Sequence, residues 1–361
     1  MIDLKFNYPS VPTEMDLIKQ YFTNDFVNEQ KDFLLFPPFH GDKNTIDLGA
    51  SWLGLSSELF PDIVDIVMCN SGNQALLCLL QACRKQYDSI ITEPFTYVSF
   101  KSIALENNYQ LISCEVDNEG ITIEGLDAIV KSTGSKLLYI QPTIQNPTCV
   151  VMPIERRHQI AEYAKKHNLL IIEDDAYRFM CVNPPLRFLD LLPEQTIHIY
   201  SLSKPFNPLI KTAFVALPKY LKTNVADYIR MSSSGNSSLL SGLTSYLLQT
   251  NALQTIIEQK QALAERLQNM VTPLLEGLIY RTNPTCSHIW ITLPDTINST
   301  RLVNDMASKQ IIITSGNEFA IDESIDGEKY IRIALGGEKI KERLTNAVRV
   351  LVATIKELEI N

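Results

Sequence analysis

The chain has 361 residues, 45% hydrophobic and 20% charged, with a formal charge of −9 at pH 7 and a pI of about 5.2. This is an ordinary globular balance in a chain long enough for two domains, and the lack of a basic cluster argues against nucleic-acid binding. No apolar run approaches membrane-spanning length, and the N-terminus, Met1-Ile2-Asp3-Leu4-Lys5, lacks the features of a signal peptide, so a cytoplasmic protein is expected.

Residues 1–40 are rich in aromatics and proline and read as an N-terminal arm. Short β-branched runs then alternate with helical patterns. The runs are Asp65-Ile66-Val67-Met68-Cys69, Ser89-Ile90-Ile91-Thr92, Lys136-Leu137-Leu138-Tyr139-Ile140, Leu169-Leu170-Ile171-Ile172, Ile197-His198-Ile199-Tyr200 and Ala213-Phe214-Val215-Ala216-Leu217. Near-continuous apolar strands separated by helices predict an α/β fold: a large domain, residues 41–235, with a mostly parallel, doubly wound sheet and helices on both faces. Residues 153–167 illustrate the intervening helices, with Pro153 suited to the first turn and Asn168 to the stop.

The texture changes at about residue 236. A helical stretch, 238–269, is followed by strand-like runs at 287–293, 311–313 and 330–334 and a closing helix at 338–357. These predict a smaller α+β domain over 236–361. The seven cysteines are odd in number and show no CxxC pairing, so they read as reduced core residues. The five histidines are scattered, none paired with cysteine or carboxylate at ligand spacing, and no metal is expected.

The chemistry gathers at strand ends. Ser201-Leu202-Ser203-Lys204 follows one apolar run, and Glu173-Asp174-Asp175-Ala176-Tyr177 ends another, with Asn146-Pro147-Thr148 ahead of both. In open α/β sheets, sites lie beyond the carboxyl ends of the strands, so these residues are expected to converge. A lysine, an aspartate, a tyrosine and an asparagine form the set needed to hold and use pyridoxal 5′-phosphate. The lysine can form a Schiff base, and the aspartate can pair with a pyridinium nitrogen.

Six motifs, in order, make the chain from about Gly41 to Gly337 resemble the fold type I pyridoxal-phosphate enzymes, class I/II aminotransferase family. Ser71-Gly72-Asn73-Gln74 resembles the family's glycine turn at a helix start, a ready phosphate site. Glu93-Pro94-Phe95-Thr96-Tyr97 resembles the segment whose aromatic residue, here Tyr97, stacks on the pyridine ring. Asn146-Pro147-Thr148 resembles the Asn-Pro-Thr-Gly motif, with Cys149 in place of the glycine; Asn146 is expected to donate to the cofactor's phenolic oxygen. Asp174-Asp175-Ala176-Tyr177 matches Asp-x-x-Tyr. The resemblance implies Asp174 on the ring nitrogen, with Asp175 the alternative acid, and Tyr177 on the phenolic oxygen. The lysine motif implies Lys204 as the Schiff-base residue, Ser201 and Ser203 on the phosphate, and Lys211 where the family usually has arginine. Lysine supplies charge there but no bidentate fork. Ser315-Gly316-Asn317-Glu318-Phe319 and Tyr330-Ile331-Arg332-Ile333 resemble the C-terminal glycine turn and the carboxylate-binding arginine, here Arg332.

The resemblance implies an aminotransferase acting between an amino acid and a 2-keto acid, as a homodimer. Where the family often has a tyrosine that reaches the partner's phosphate, this chain offers Phe36 and Phe39. Two other readings stand beside it. The same scaffold supports elimination, decarboxylation and oxidation. Some transcription regulators carry a similar domain as an effector sensor; only about forty residues precede the resemblance, which is expected to be too few for a DNA-binding domain.

Overall fold

The computed structural model describes residues 1–26, 38–338 and 340–360. Its centre is a sheet of seven strands: β1 (Val64–Cys69), β2 (Ser89–Thr92), β3 (Gln110–Ser113), β4 (Leu137–Ile140), β5 (Leu170–Asp174), β6 (Thr196–Ser201) and β7 (Ala213–Pro218). Their spatial order is β1-β7-β6-β5-β4-β2-β3. Strands β2 to β6 pair in parallel, and β7 is antiparallel to both of its neighbours, β6 and β1. Because β7 reverses direction twice over, β1 runs with the others. Six strands therefore end, and β7 begins, along one edge of the sheet.

Every residue of β1, β2, β4, β5, β6 and β7 is buried, as expected where helices cover both faces, and this is why these strands read as near-continuous apolar runs. The edge strand β3 was not legible in the sequence. It is half-exposed and has only two apolar residues, Leu111 and Ile112. The helix expected over 153–167 spans Ile154–His167, with Pro153 at its N-cap; it stops where Asn168 turns left-handed at φ 55°.

A second, antiparallel sheet is built from β8 (Ile279–Arg281), β9 (His288–Thr292), β10 (Thr314–Ser315) and β11 (Tyr330–Ala334), in the order β8-β9-β11-β10. The helix Lys341–Ile360 closes it, setting Leu344, Val348, Leu351 and Ile355 against Ile289, Ile331 and Ile333. That spacing of three and four residues is the buried stripe of an amphipathic helix.

Two expectations change. The stretch 238–269 is two helices, Ser238–Gln249 and Ala252–Val271, because Asn251 between them takes a left-handed φ of 57°; asparagine is among the few side chains that tolerate it. The run 311–313 does not join the second sheet. Ile311 and Ile312 instead pair in parallel with Ile2 and Asp3, and Leu4 is fully buried in the second core. The first residues of the chain are thereby anchored some 300 positions away in sequence, and residues 5–8 run from there onto the strand-end edge of the large sheet.

Candidate active site

That edge holds a cavity lined by Gly72, Asn73, Tyr97, Asn146, Asp174, Tyr177, Ser201, Ser203, Lys204 and Lys211, together with Tyr8, Ser71, Leu76, Gln141, Ala176 and Ile199. The topology explains the convergence. Asp174 and Ser201 are the last residues of β5 and β6, Lys204 lies three residues past β6, and Asn146 follows β4. Lys211 precedes β7, so the reversed strand delivers it to the same edge from an exposed position.

One end of the cavity suits a phosphate. Ser71 caps the helix Gly72–Cys83 by accepting from the Gln74 amide at 3.1 Å, leaving the first N–H groups of the helix at the cavity. A Cβ on Gly72 would meet only Ser201, at an ordinary 3.5 Å, so internal packing does not demand a glycine there. Its bareness leaves space on the cavity side. Ser201 Oγ donates to Ser203 Oγ at 3.2 Å beside it, and Lys211 adds charge.

The other end is built around buried Asp174. Its Oδ2 accepts from the Tyr139 hydroxyl at 2.7 Å and from Gln141 Nε2 at 3.3 Å. Burial pushes the Asp174 carboxyl up from its ordinary range, while the Tyr139 hydrogen bond pulls it down. A buried carboxylate with neutral donors is short of a cation. Asp175 is directed away from the cavity. It lies 3.3 Å from His198 Nε2 and 3.6 Å from an Arg178 nitrogen, both on its Oδ2. The two neighbouring acids leave opposite faces of the strand end, and Asp174 is the one that lines the cavity.

Lys204 lies between the two ends. Its Nζ donates to the Asn7 carbonyl at 2.9 Å and sits 3.6 Å from the centre of the Tyr8 ring. Burial, and then the nearby Arg332 charge, hold the ammonium well below its ordinary range, with Asp174 acting against them. That direction is toward the neutral amine, the form that acts as nucleophile or base. Below it, buried Lys260 donates to the carbonyls of Lys204 (3.0 Å) and Phe206 and pairs with Glu14 Oε1 at 2.9 Å.

Arg332 leaves β11 and reaches the rim. Its NH1 donates to Asn146 Oδ1 at 2.9 Å and its NH2 to the Lys5 carbonyl at 2.8 Å, while Nε is buried without a partner. Since the guanidinium occupies the amide oxygen of Asn146, the amide's NH₂ end is left to donate into the cavity. Likewise Asn7 Nδ2 donates to the Tyr177 hydroxyl oxygen at 2.9 Å, leaving that O–H free to donate.

Sequence reasoning missed Asn7 and Tyr8, which nothing in their spacing marks; the pairing of Ile2 and Asp3 with Ile311 and Ile312 brings them in. It also missed Gln141 and Tyr139, which sit in and just after β4. The sequence shows no histidine paired with cysteine at ligand spacing, but the fold brings one such group together. Cys149, Cys286 and His288 place their donor atoms within 4.8 Å of one another. Cys149 comes from the large-sheet side and the other two from β9 and its lead-in, so only folding brings them together. Of the two phenylalanines at the family's tyrosine position, Phe36 lies outside the described residues, and Phe39 is exposed.

A large mixed sheet with a strand-end cavity, joined to a smaller antiparallel sheet, defines the aminotransferase architecture. It is similar to the multiple substrate aminotransferase from Thermococcus profundus, with a TM-score of 0.89 over 99% of this chain and 92% of that one, at 20% identity. At that identity the likeness concerns the fold. The profile of the family described as aminotransferase class I and II matches residues 1–351, and the chain belongs to that family. The family's cofactor, pyridoxal 5′-phosphate, fits the donor set of the cavity. The chain is 27% identical over 293 residues to an uncharacterized HTH-type transcriptional regulator of Bacillus subtilis (strain 168), YdeF, covering 81% of this chain and 63% of the regulator. It is also 27% identical over 198 residues to an aromatic amino acid aminotransferase of Dictyostelium discoideum, covering 49% of this chain and 38% of that enzyme. The chain thus spans less than two thirds of the length of either relative.

Proposed function

We propose that the protein is a transaminase that moves an amino group between an amino acid and a 2-keto acid, with Lys204 as the residue that holds the cofactor covalently. The observation that carries this reading is the meeting, in one cavity, of an amine held below its ordinary pKa, a buried carboxylate and, at the rim, a buried arginine with an unpartnered Nε. The bound cofactor supplies a carbonyl for amines and a ring that accepts electron density. The residues do the rest. Asp174 holds a proton on the ring nitrogen, and Asn146 and Tyr177 donate to the phenolic oxygen. Tyr97 would lie against the cofactor ring; its hydroxyl donates to Asn73 Oδ1 at 3.1 Å, which fixes the tyrosine's orientation. Ser201, Ser203, Lys211 and the helix start at Gly72 and Asn73 bind the phosphate. Arg332 would bind the substrate α-carboxylate with Asn146 at its side, and the Lys204 amine would take the proton from Cα.

Borohydride reduction followed by peptide mapping is expected to place the pyridoxyl group on Lys204; label on Lys211 instead would overturn the assignment. Mixing the protein with a panel of amino acids and following absorbance is expected to show conversion to the pyridoxamine form, which identifies transamination and the donor together. Ammonia or carbon dioxide release in its place points to elimination or decarboxylation on the same scaffold.

Arg332→Lys keeps the charge but loses the planar fork. It is expected to lower kcat/KM by about 10-fold or more while leaving the Lys204-linked cofactor spectrum unchanged. Normal handling of amino acids by Arg332→Ala would mean that the carboxylate is held elsewhere. By family resemblance we also propose a cytoplasmic homodimer; a monomeric mass by light scattering with full activity would remove that claim.

A second reading is favoured by the regulator relative: the same cavity serves as an effector sensor. It predicts that amino compounds bind at Lys204 without release of a keto acid over many turnovers.

A further inference from the structure

We propose that Cys149, Cys286 and His288 form a site for zinc that ties the loop carrying Asn146 to the smaller sheet. Among the described residues this is the cluster in which three metal-ligating side chains converge with all donor atoms within 4.8 Å, and all three residues are buried. The two Sγ atoms are 3.9 Å apart, and Cys286 Sγ is 3.2 Å from His288 Nδ1. Tetrahedral zinc, with bonds of about 2.3 Å to sulfur and about 2.0 Å to nitrogen, needs edges of about 3.8 Å between sulfurs and about 3.5 Å between sulfur and nitrogen. Two of the three edges are thus close to tetrahedral values, and the third, between Cys149 Sγ and the imidazole, lies within 4.8 Å.

Two thiols and an imidazole are soft and borderline donors that select zinc over magnesium or calcium. The surroundings leave polar atoms without partners: His288 Nε2 and Asn7 Oδ1 are both buried and unpaired. The Asn7 amide nitrogen lies 3.1 Å from His288 Nδ1, so in the metal-free cluster Asn7 donates to the imidazole nitrogen and releases it when the ion binds. Cys149 is itself unusual. It sits at φ 62°, in the left-handed region, where the family motif has glycine and where a side chain adds strain. A thiol kept at that position is accounted for by what the sulfur does. The remaining contacts are weak acceptors for thiols: the Pro147 and His288 carbonyls, each 3.6 Å from Cys149 Sγ. On binding, two S–H protons leave to solvent, two Zn–S bonds and one Zn–N bond form, and no electron is transferred. The site lies beside Tyr177, whose ring centre is 5.4 Å from that of His288, and three residues from Asn146. The ion therefore acts on positioning, not on the reacting atoms.

The test is metal analysis of the full-length, cofactor-loaded protein produced with zinc in the medium and desalted. About one zinc per chain is expected, with zinc lost from Cys286→Ser and from His288→Gln but retained by Cys114→Ser, a buried cysteine outside the cluster. If the cluster variants do not fold, denaturing the wild type in the presence of a zinc-sensitive dye still reads the ion, and native thiol titration before and after chelation reads two thiols unmasked. Wild-type protein that stays zinc-free with its thiols reactive overturns the proposal. So does a Cys149–Cys286 disulfide found by mass spectrometry, or zinc that persists in both cluster variants.

Discussion

Asp174→Asn is expected to retain bound cofactor yet lose about 3–5 kcal/mol of transition-state stabilisation, roughly 10²–10⁴-fold in turnover. The substitution nearly conserves shape, and the Tyr139 hydroxyl that donates to Asp174 Oδ2 at 2.7 Å can donate to an amide oxygen as well. What is lost is the negative charge. In a buried site with neutral neighbours it is the group that keeps a proton on a ring nitrogen, and a neutral amide cannot replace it. Single-turnover kinetics of the half-reaction separate this loss from any loss of affinity. Asp175→Asn is the control. Asp175 pairs with His198 and Arg178 away from the cavity, so its loss belongs in the unfolding curve and not in the rate. Near-normal turnover by Asp174→Asn would remove the carboxylate from the mechanism.

Lys260→Met is expected to lower the stability of the fold by about 3–5 kcal/mol, because it strands the Glu14 carboxylate in the interior. Lys260 and Glu14 expose 1% and 5% of their side chains, and their nitrogen and oxygen are 2.9 Å apart. The lysine also satisfies two carbonyls in the turn that presents Lys204, and Asn207 Nδ2 donates to the other Glu14 oxygen at 2.6 Å. Removing both charges together, as in Glu14→Leu with Lys260→Met, is expected to recover much of the loss, since replacing a buried pair by apolar groups costs little. Urea unfolding at unchanged slope reads both effects. A single variant within about 1 kcal/mol of the wild type would show that the pair is hydrated and not buried in the working protein.

Six of the seven strands of the large sheet were legible in the sequence because burial on both faces leaves mostly apolar residues there, whereas the half-exposed edge strand β3 was not. Val64–Cys69 and Thr196–Ser201 differ from their sequence readings by a residue or so at each end. Many of the residues that line the cavity were legible for a related reason: Gly72, Asn146, Asp174, Ser201 and Lys204 sit at or just past the end of such a strand, where a parallel sheet puts its crevice. The break at Asn251 was not, since nothing in a Leu- and Gln-rich stretch forbids one continuous helix and only packing selects two.

By itself the sequence determined the fold class, the strand ends and the residue types at the cavity, all of which are local in the chain or repeat with the period of a strand or helix. Only the tertiary structure shows Asp174 lining the cavity and Asp175 turned to His198 and Arg178, because adjacent residues leave a strand on opposite faces. It alone brought in Asn7 and Tyr8, through a parallel pairing of Ile2 and Asp3 with Ile311 and Ile312. It alone assembled Cys149 with Cys286 and His288, since a contact between residues 137 positions apart leaves no periodic trace in the chain.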